Sequence, residues 1–217
     1  MAVILFVHSS GASGRLWGPV SALLAGEHEV RAPDLPGHGG HPGPFTMERA
    51  TDVVCAAMPD EPVHLVGISA GATVAALACL AAPDRVASLL LSGGIAHPPP
   101  LLAVQRLVMR MLPASLQAAA LGRIDPMLAE DYRRAGKPTT LAVLRELAAV
   151  DLRPRLGKIT VPALVAVGAR DRANHAGARE LVAGLPRARL VVIPDAGHLW
   201  CLSDPARFAK LVNESVA

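Results

Sequence analysis

The chain has 217 residues, 52% of them hydrophobic and 18% charged, which supports one sizeable globular domain and excludes a disordered chain. The net charge is +3 at pH 7. No Lys/Arg run is interleaved with aromatic side chains, so a nucleic-acid-binding module is not expected.

In chain order, Val3-Ile4-Leu5-Phe6-Val7 is a continuous apolar run of the kind found in a strand covered on both faces. It ends in a loop of small residues, His8 to Gly14, and a helix is predicted over Trp17 to Ala25. Glu27 to Arg31 is a polar strand whose charges suit the edge of a sheet. A turn-rich loop, Asp34-Leu35-Pro36-Gly37-His38-Gly39-Gly40, leads to a helix from Thr46, its N-cap, to about Met58.

The apolar run Val63 to Val66 then enters Gly67-Ile68-Ser69-Ala70-Gly71, and a small-residue helix, Ala72 to Ala82, leaves it. Strand, tight turn and helix with a serine at the apex form a G-x-S-x-G nucleophile elbow. A serine hydroxyl needs exposure, strain and a neighbouring base to attack a carbonyl. The flanking glycines let the turn pass close to its neighbours, and the helix N-terminus faces developing negative charge.

Val86 to Leu91 is a fourth strand. From Gly93 to Arg155 the pattern holds no strand. A stiff His97-Pro98-Pro99-Pro100 connector precedes four short amphipathic helices, at Leu101–Leu112, Pro113–Leu121, Asp125–Ala135 and Thr139–Val150. Two further buried strands, Pro162–Val167 and Leu190–Ile193, flank a helix over Ala176–Leu185, and Pro205–Val212 closes the pattern. Alternating strands and helices predict a six-stranded parallel sheet in the order 2-1-3-4-5-6 with helices on both faces and Glu27–Arg31 at an edge. The domain reading is a core of residues 1–94 and 156–217 with a helical cap at 95–155.

Ligands of open parallel sheets bind at the carboxyl ends of strands. The reactive residues there are His8 to Gly11 after the first strand, Ser69 after the third, Asp171 after the fifth and His198 after the sixth. Serine, acid and histidine in that order are the chain order of the α/β-hydrolase triad. Four motifs carry a resemblance to the α/β-hydrolase family over nearly the whole length. They are His8-Ser9-Ser10-Gly11 with Trp17 downstream, Asp34 to Gly39, the elbow, and Gly197-His198 followed by Asp204-Pro205 and Phe208. The family commonly has glycine where this chain has Ser9, and its usual first two strands are not expected here.

The resemblance implies Ser69 as nucleophile, His198 as general base and Asp171 as the acid that orients the histidine. Asp195 is a rival acid on the same turn as His198. The oxyanion hole would be the backbone N–H groups of Ser10 and Ala70, with Ser9, Trp17, Met109 and Trp200 as candidate substrate-lining residues; His175 is a further candidate. His8, His38 and His41 read as structural loop residues.

The expected function is a serine hydrolase, an esterase-like enzyme cleaving a small carboxylic ester or lactone through an acyl-enzyme. The alternatives are a lyase, C–C bond hydrolase or cyclase on the same fold, and a non-catalytic ligand-binding protein. The Asp34–Gly40 loop is also similar to that of a menaquinone-pathway synthase of this fold. That synthase has an arginine two residues beyond the last elbow glycine, where this chain has Thr73.

Between positions 95 and 156 there are nine Lys/Arg against five Asp/Glu, which fits either solvated helix faces or an anionic substrate. The histidines lie on separate loops without ligand spacing and no G-x-G-x-x-G follows the first strand, so neither metal nor dinucleotide cofactor is expected. Cys55, Cys79 and Cys201 read as buried thiols of a reducing compartment. The apolar start lacks a basic n-region, and no run reaches the roughly 20 apolar residues of a membrane span, so a soluble cytoplasmic protein is expected. The sequence does not set the oligomeric state.

Overall fold

The computed structural model of the chain describes residues 1–216. Six strands, β1 (Val3–Val7), β2 (Glu29–Arg31), β3 (Val63–Ile68), β4 (Val86–Ser92), β5 (Ala163–Gly168) and β6 (Ala188–Ile193), form one sheet in the order β2-β1-β3-β4-β5-β6. Every adjacent pair is parallel, as the strand–helix alternation predicts. The order reverses between β1 and β3, so the crevice lies beyond their carboxyl ends.

The period-2 alternation of the central strands divides the core in two. Leu5, Val7, Leu65, Leu89, Leu91, Val165 and Val167 face helices α2 (Met47–Ala57), α3 (Ala70–Ala81) and α8 (His175–Gly184). Ile4, Phe6, Val66, Ile68, Leu90, Leu164 and Ala166 face α1 (Gly18–Leu24), α9 (Trp200–Ser203) and α10 (Pro205–Val216). Thr46 caps α2 by accepting from the Arg49 N–H at 3.1 Å, as expected.

Two elements differ from expectation. β6 is an edge strand in which only Ile193 is buried, and Val192 keeps 44% of its surface. It was expected to be buried because Leu190–Ile193 is continuously apolar, but an apolar run does not say whether another strand follows it in the sheet. The elbow helix also begins two residues early, at Ala70, so that its first turn adjoins Ser69 directly.

Between β4 and β5 the chain is entirely helical: α4 (Pro100–Met111), α5 (Ala114–Gly122), α6 (Pro126–Leu147) and α7 (Arg153–Leu156). Helix α6 is two helices joined at Gly136, whose φ of 79° and ψ of 155° leave the helical region, with Pro138 just beyond removing a backbone donor. The break falls between the two helices that the sequence pattern separates. Leu102, Val143, Leu144 and Leu147 of this insertion join the same core as α2 and α3.

No helix among the described residues is long and apolar enough to cross a membrane. The three cysteines are free thiols; burial pushes Cys79 up to about 11 and Cys201 up to about 12, so both behave as small apolar groups.

Candidate active site

The elbow is held by close backbone contact. A Cβ on Gly71 would lie 2.2 Å from the Val7 carbonyl oxygen, and one on Gly67 would lie 2.4 Å from the Gly71 carbonyl oxygen. No side chain fits either position. Between them Ser69 takes φ 56° and ψ −122°, a region that a residue with a Cβ rarely adopts, at a cost of about 1–3 kcal/mol. Its backbone N–H donates to the Ser92 carbonyl at the end of β4 over 2.8 Å.

The residue just past β4, Gly93, has φ 57°, and a Cβ there would meet His198 Cε1 at 2.9 Å and Asp171 Oδ2 at 3.3 Å. The serine and the imidazole are thus seated on consecutive residues at one strand end. His198 Nδ1 and Asp171 Oδ2 are 2.7 Å apart, with Asp171 92% buried by its 8% residual exposure. This bond fixes the Nδ1–H tautomer and leaves Nε2 as the nitrogen with a free lone pair. Burial pushes the Asp171 carboxyl up, but the hydrogen bond and charge of His198, together with the Asn174 amide and His175, outweigh it and hold the carboxyl below its ordinary value. No hydrogen bond joins the Ser69 hydroxyl to His198 among the described residues. Such contacts are often long until substrate binds.

Asp195, the rival acid, has 86% of its side chain exposed and pairs with Arg170 at 3.1 Å. It does not contact His198. His175 Nε2 donates to the Gly168 carbonyl over 3.0 Å, so Nε2 is the protonated nitrogen.

The loop after β1 is fixed group by group. The Gly11 N–H donates to His38 Nε2 at 3.1 Å, the Ala12 N–H to the Ser9 carbonyl at 3.3 Å, and the Gly14 N–H to Asp34 Oδ1 at 2.8 Å. Ser13 Oγ donates to Asp131 Oδ2 on α6 at 2.5 Å. The Ser10 N–H donates to nothing among the described residues, and the Ala70 N–H starts a helix, where first-turn donors lack intrahelical partners. Both remain available to an anion.

His8 is fully buried; its Nδ1 donates to the Ser9 carbonyl at 2.8 Å and its Nε2 accepts the Leu35 N–H at 2.9 Å. Desolvation by burial, helped by neighbouring His38, lowers His8 to about 3, and burial also lowers His38. Both imidazoles are neutral ties between the Ser10 loop and the Asp34–Gly40 loop, the structural use that their sequence positions suggest. His41 is a loop residue whose Nδ1 donates to the Pro42 carbonyl.

The candidate lining residues divide. Trp17 and Trp200 are in the core on the far side of the sheet: Trp17 stacks on Phe6 at 4.5 Å, and Trp200 packs on Phe208 at 4.4 Å and donates to Ser92 Oγ. Neither has more than 1% of its surface exposed, which corrects the expectation that they line a pocket. Met109 is half-buried against the core, and its carbonyl accepts from Gln117. Ser9 is buried in the loop after β1, where its carbonyl accepts from His8 and Ala12.

Sequence reasoning missed Asn174 and Gly93 beside the His198–Asp171 pair. Asn174 follows the acid by three residues, a spacing that returns a side chain to the same side of a helical turn. The buried hydroxyls of Ser10 and Thr73 have no hydrogen-bond partner among the described residues. No group of three or more His, Cys, Asp and Glu among those residues is arranged to hold a metal ion.

A strained serine at a strand–helix turn and an imidazole–carboxylate pair at the same end of a parallel sheet define a hydrolase architecture. The chain belongs to the alpha/beta hydrolase family, whose model matches residues 4–211. Among curated proteins it is 32% identical to the pimeloyl-[acyl-carrier protein] methyl ester esterase of Neisseria meningitidis serogroup C, over 98% of this chain and 93% of that one. The enzyme of the same name from Methylococcus capsulatus is 28% identical, over 99% of this chain and 94% of its own length. Among solved structures, the enol-lactonase from Burkholderia xenovorans LB400 superposes with a TM-score of 0.81 at 26% identity, covering 99% of this chain and 89% of that chain. The family expected from the four motifs is therefore the family found.

Proposed function

We propose that the chain is a serine carboxylic ester hydrolase that works through an acyl-enzyme on Ser69. The observation that carries this reading is the 2.7 Å His198–Asp171 pair seated on the strand end that also holds Ser69 in its strained conformation.

In this mechanism the Ser69 hydroxyl attacks the ester carbonyl and His198 Nε2 takes its proton. Asp171 remains ionised and stabilises the imidazolium. The carbonyl oxygen, now an anion, accepts hydrogen bonds from the Ser10 N–H in the loop after β1 and the Ala70 N–H at the N-terminus of α3, each worth roughly 3–4 kcal/mol in the transition state. The tetrahedral intermediate collapses, and the alcohol leaves with the proton from His198. A water molecule then attacks the acyl-serine, giving its proton to Nε2, and the carboxylic acid departs as Ser69 regains a proton.

The relatives' names extend the reading to a substrate class: a methyl ester at the end of an acyl chain, releasing methanol. Residues 95–155 act as the cap over the acyl group. The half-buried Met109 and the exposed apolar side chains of α4 supply contact for a chain longer than acetate. Hydrolysis of the methyl monoester of a dicarboxylic acyl thioester, followed by mass spectrometry, tests this. The expected product is the free acid with methanol, at a higher kcat/KM than for methyl acetate. Retention of that activity in Ser69→Ala would overturn the mechanism.

A further inference from the structure

The geometry points to Asn174 as a positioning residue that orients the Asp171 carboxylate and shares its charge with His198. The inference rests on the catalytic reading above and concerns a residue with no part in it.

Asn174 Nδ2 lies 2.8 Å from Asp171 Oδ1, 3.0 Å from Asp171 Oδ2 and 3.2 Å from His198 Nδ1. One amide nitrogen therefore sits against both oxygens of the acid and the protonated nitrogen of the base. The reverse amide orientation would set its oxygen against two carboxylate oxygens, all acceptors, so the nitrogen is the group that faces them. The side chain is placed by its backbone: the Asn174 N–H donates to the Asp171 carbonyl at 3.1 Å, closing a single 3-10 turn between the acid and α8. The acid thus carries its own restraint one turn away.

Two consequences follow from that contact. The forked donation pins the carboxylate plane, so that Oδ2 stays aimed at Nδ1 through the catalytic cycle. It also shares the carboxylate charge and presents the positive end of an amide dipole to Nδ1. The other charged or titratable groups here are few. His175 on α8 faces Asp171, and its Nε2 bonds to Gly168. Arg170 and Asp195 pair with each other at the exposed rim, and Arg172 is exposed. Gly93 at the end of β4 contributes only backbone.

The test compares wild type, Asn174→Ala and Asn174→Asp by the pH dependence of kcat and kcat/KM on a small chromogenic ester, with thermal unfolding and fluorophosphonate labelling of each. Asn174→Asp keeps the shape and replaces a donor by a second carboxylate, so the acid limb of kcat/KM is expected to move up by about 1 pH unit, and by about half that in Asn174→Ala. In Asn174→Ala the plateau kcat falls about 10-fold with KM unchanged, because the acid is no longer held in line. A purely structural role would lower the unfolding temperature and scale kcat/KM equally at every pH. An acid limb that stays at the wild-type position in both variants, while both still label at Ser69, would overturn the inference and leave the catalytic reading intact. Absence of labelling in the wild type would overturn both.

Discussion

The carboxyl end of the sheet and the helical insertion facing it are built by different rules. On the sheet side, nearly every turn is fixed by a buried polar tie or by contact that admits no side chain: His8 to Leu35, His38 to Gly11, Asp34 to Gly14, and Gly71 against Val7. The insertion meets that frame through the apolar side chains of Leu102, Val143, Leu144 and Leu147 and through polar ties that include Asp131 with Ser13 and Glu146 with the Met47 N–H. It leaves Leu101, Val104, Leu107, Val108 and Met111 of α4 exposed. On the proposed mechanism, the contrast assigns the geometry of the chemistry to the sheet side and leaves the insertion free to vary with the acyl group. In the sheet side, changes should be severe and independent of substrate. In the insertion, they should be mild and substrate-dependent.

The largest expected effect is at the elbow. Gly71→Ala places a methyl group 2.2 Å from the Val7 carbonyl oxygen, so soluble yield and activity are both expected to collapse. Ser69→Gly removes the nucleophile and relieves the φ of 56°; it should abolish turnover while raising stability in denaturant titrations by about 1–3 kcal/mol. A stability loss there would show that the serine is not strained.

Next is the seam between the two regions. Ser13→Ala removes the donor to Asp131, a side chain with no exposed surface whose remaining partner is Arg15 at 3.3 Å. A loss of about 2 kcal/mol is expected, with a fall in kcat for every ester because the Ser10 loop loosens. An effect confined to long-chain esters would move this contact to the substrate-dependent side of the comparison.

The pH response comes third. His8 is lowered to about 3 and His38 is lowered too, so the folded chain refuses protons that the unfolded chain accepts. Their stability contribution is complete above the ordinary imidazole value of 6.5 and is lost as pH falls from there towards the folded-state values, at about 1.4 kcal/mol per pH unit per histidine. Asp171, held below 3.8, adds a further loss only at lower pH, as the pH passes down through its folded value. In His8→Gln the slope of unfolding free energy between pH 6 and about 4 should drop by about one proton. An unchanged slope would remove His8 from the frame.

The smallest effect belongs to α4. Leu101→Ser with Val104→Ser should leave stability within about 0.5 kcal/mol, because both side chains are already exposed. KM for a long acyl methyl ester should rise while that for acetate stays the same. Equal changes for both substrates would break the division of labour.

Much of the sheet was legible in the sequence, for physical reasons that also explain what was not. Continuous apolar runs mark covered strands, and the charges of Glu29 and Arg31 mark the β2 edge. The same rule misread β6, whose apolar run is the last in the sheet. The elbow was legible because Gly67 and Gly71 are required by backbone contact that no other residue permits. Trp17 and Trp200 stand next to motif residues in the chain, yet their side chains pass to the opposite face of the sheet, a matter of direction that spacing does not encode. Asn174 was missed because its partners, Asp171 and His198, meet only when β5 and β6 pair.

The most direct test of the central claim, that the His198–Asp171 pair activates Ser69, is covalent labelling with a fluorophosphonate, read by intact mass and peptide mapping. The account predicts one adduct per chain, on the peptide bearing Ser69, absent in Ser69→Ala and formed at least about 1,000-fold more slowly in His198→Ala. Stoichiometric labelling on any other residue, or an undiminished rate in His198→Ala, would contradict it.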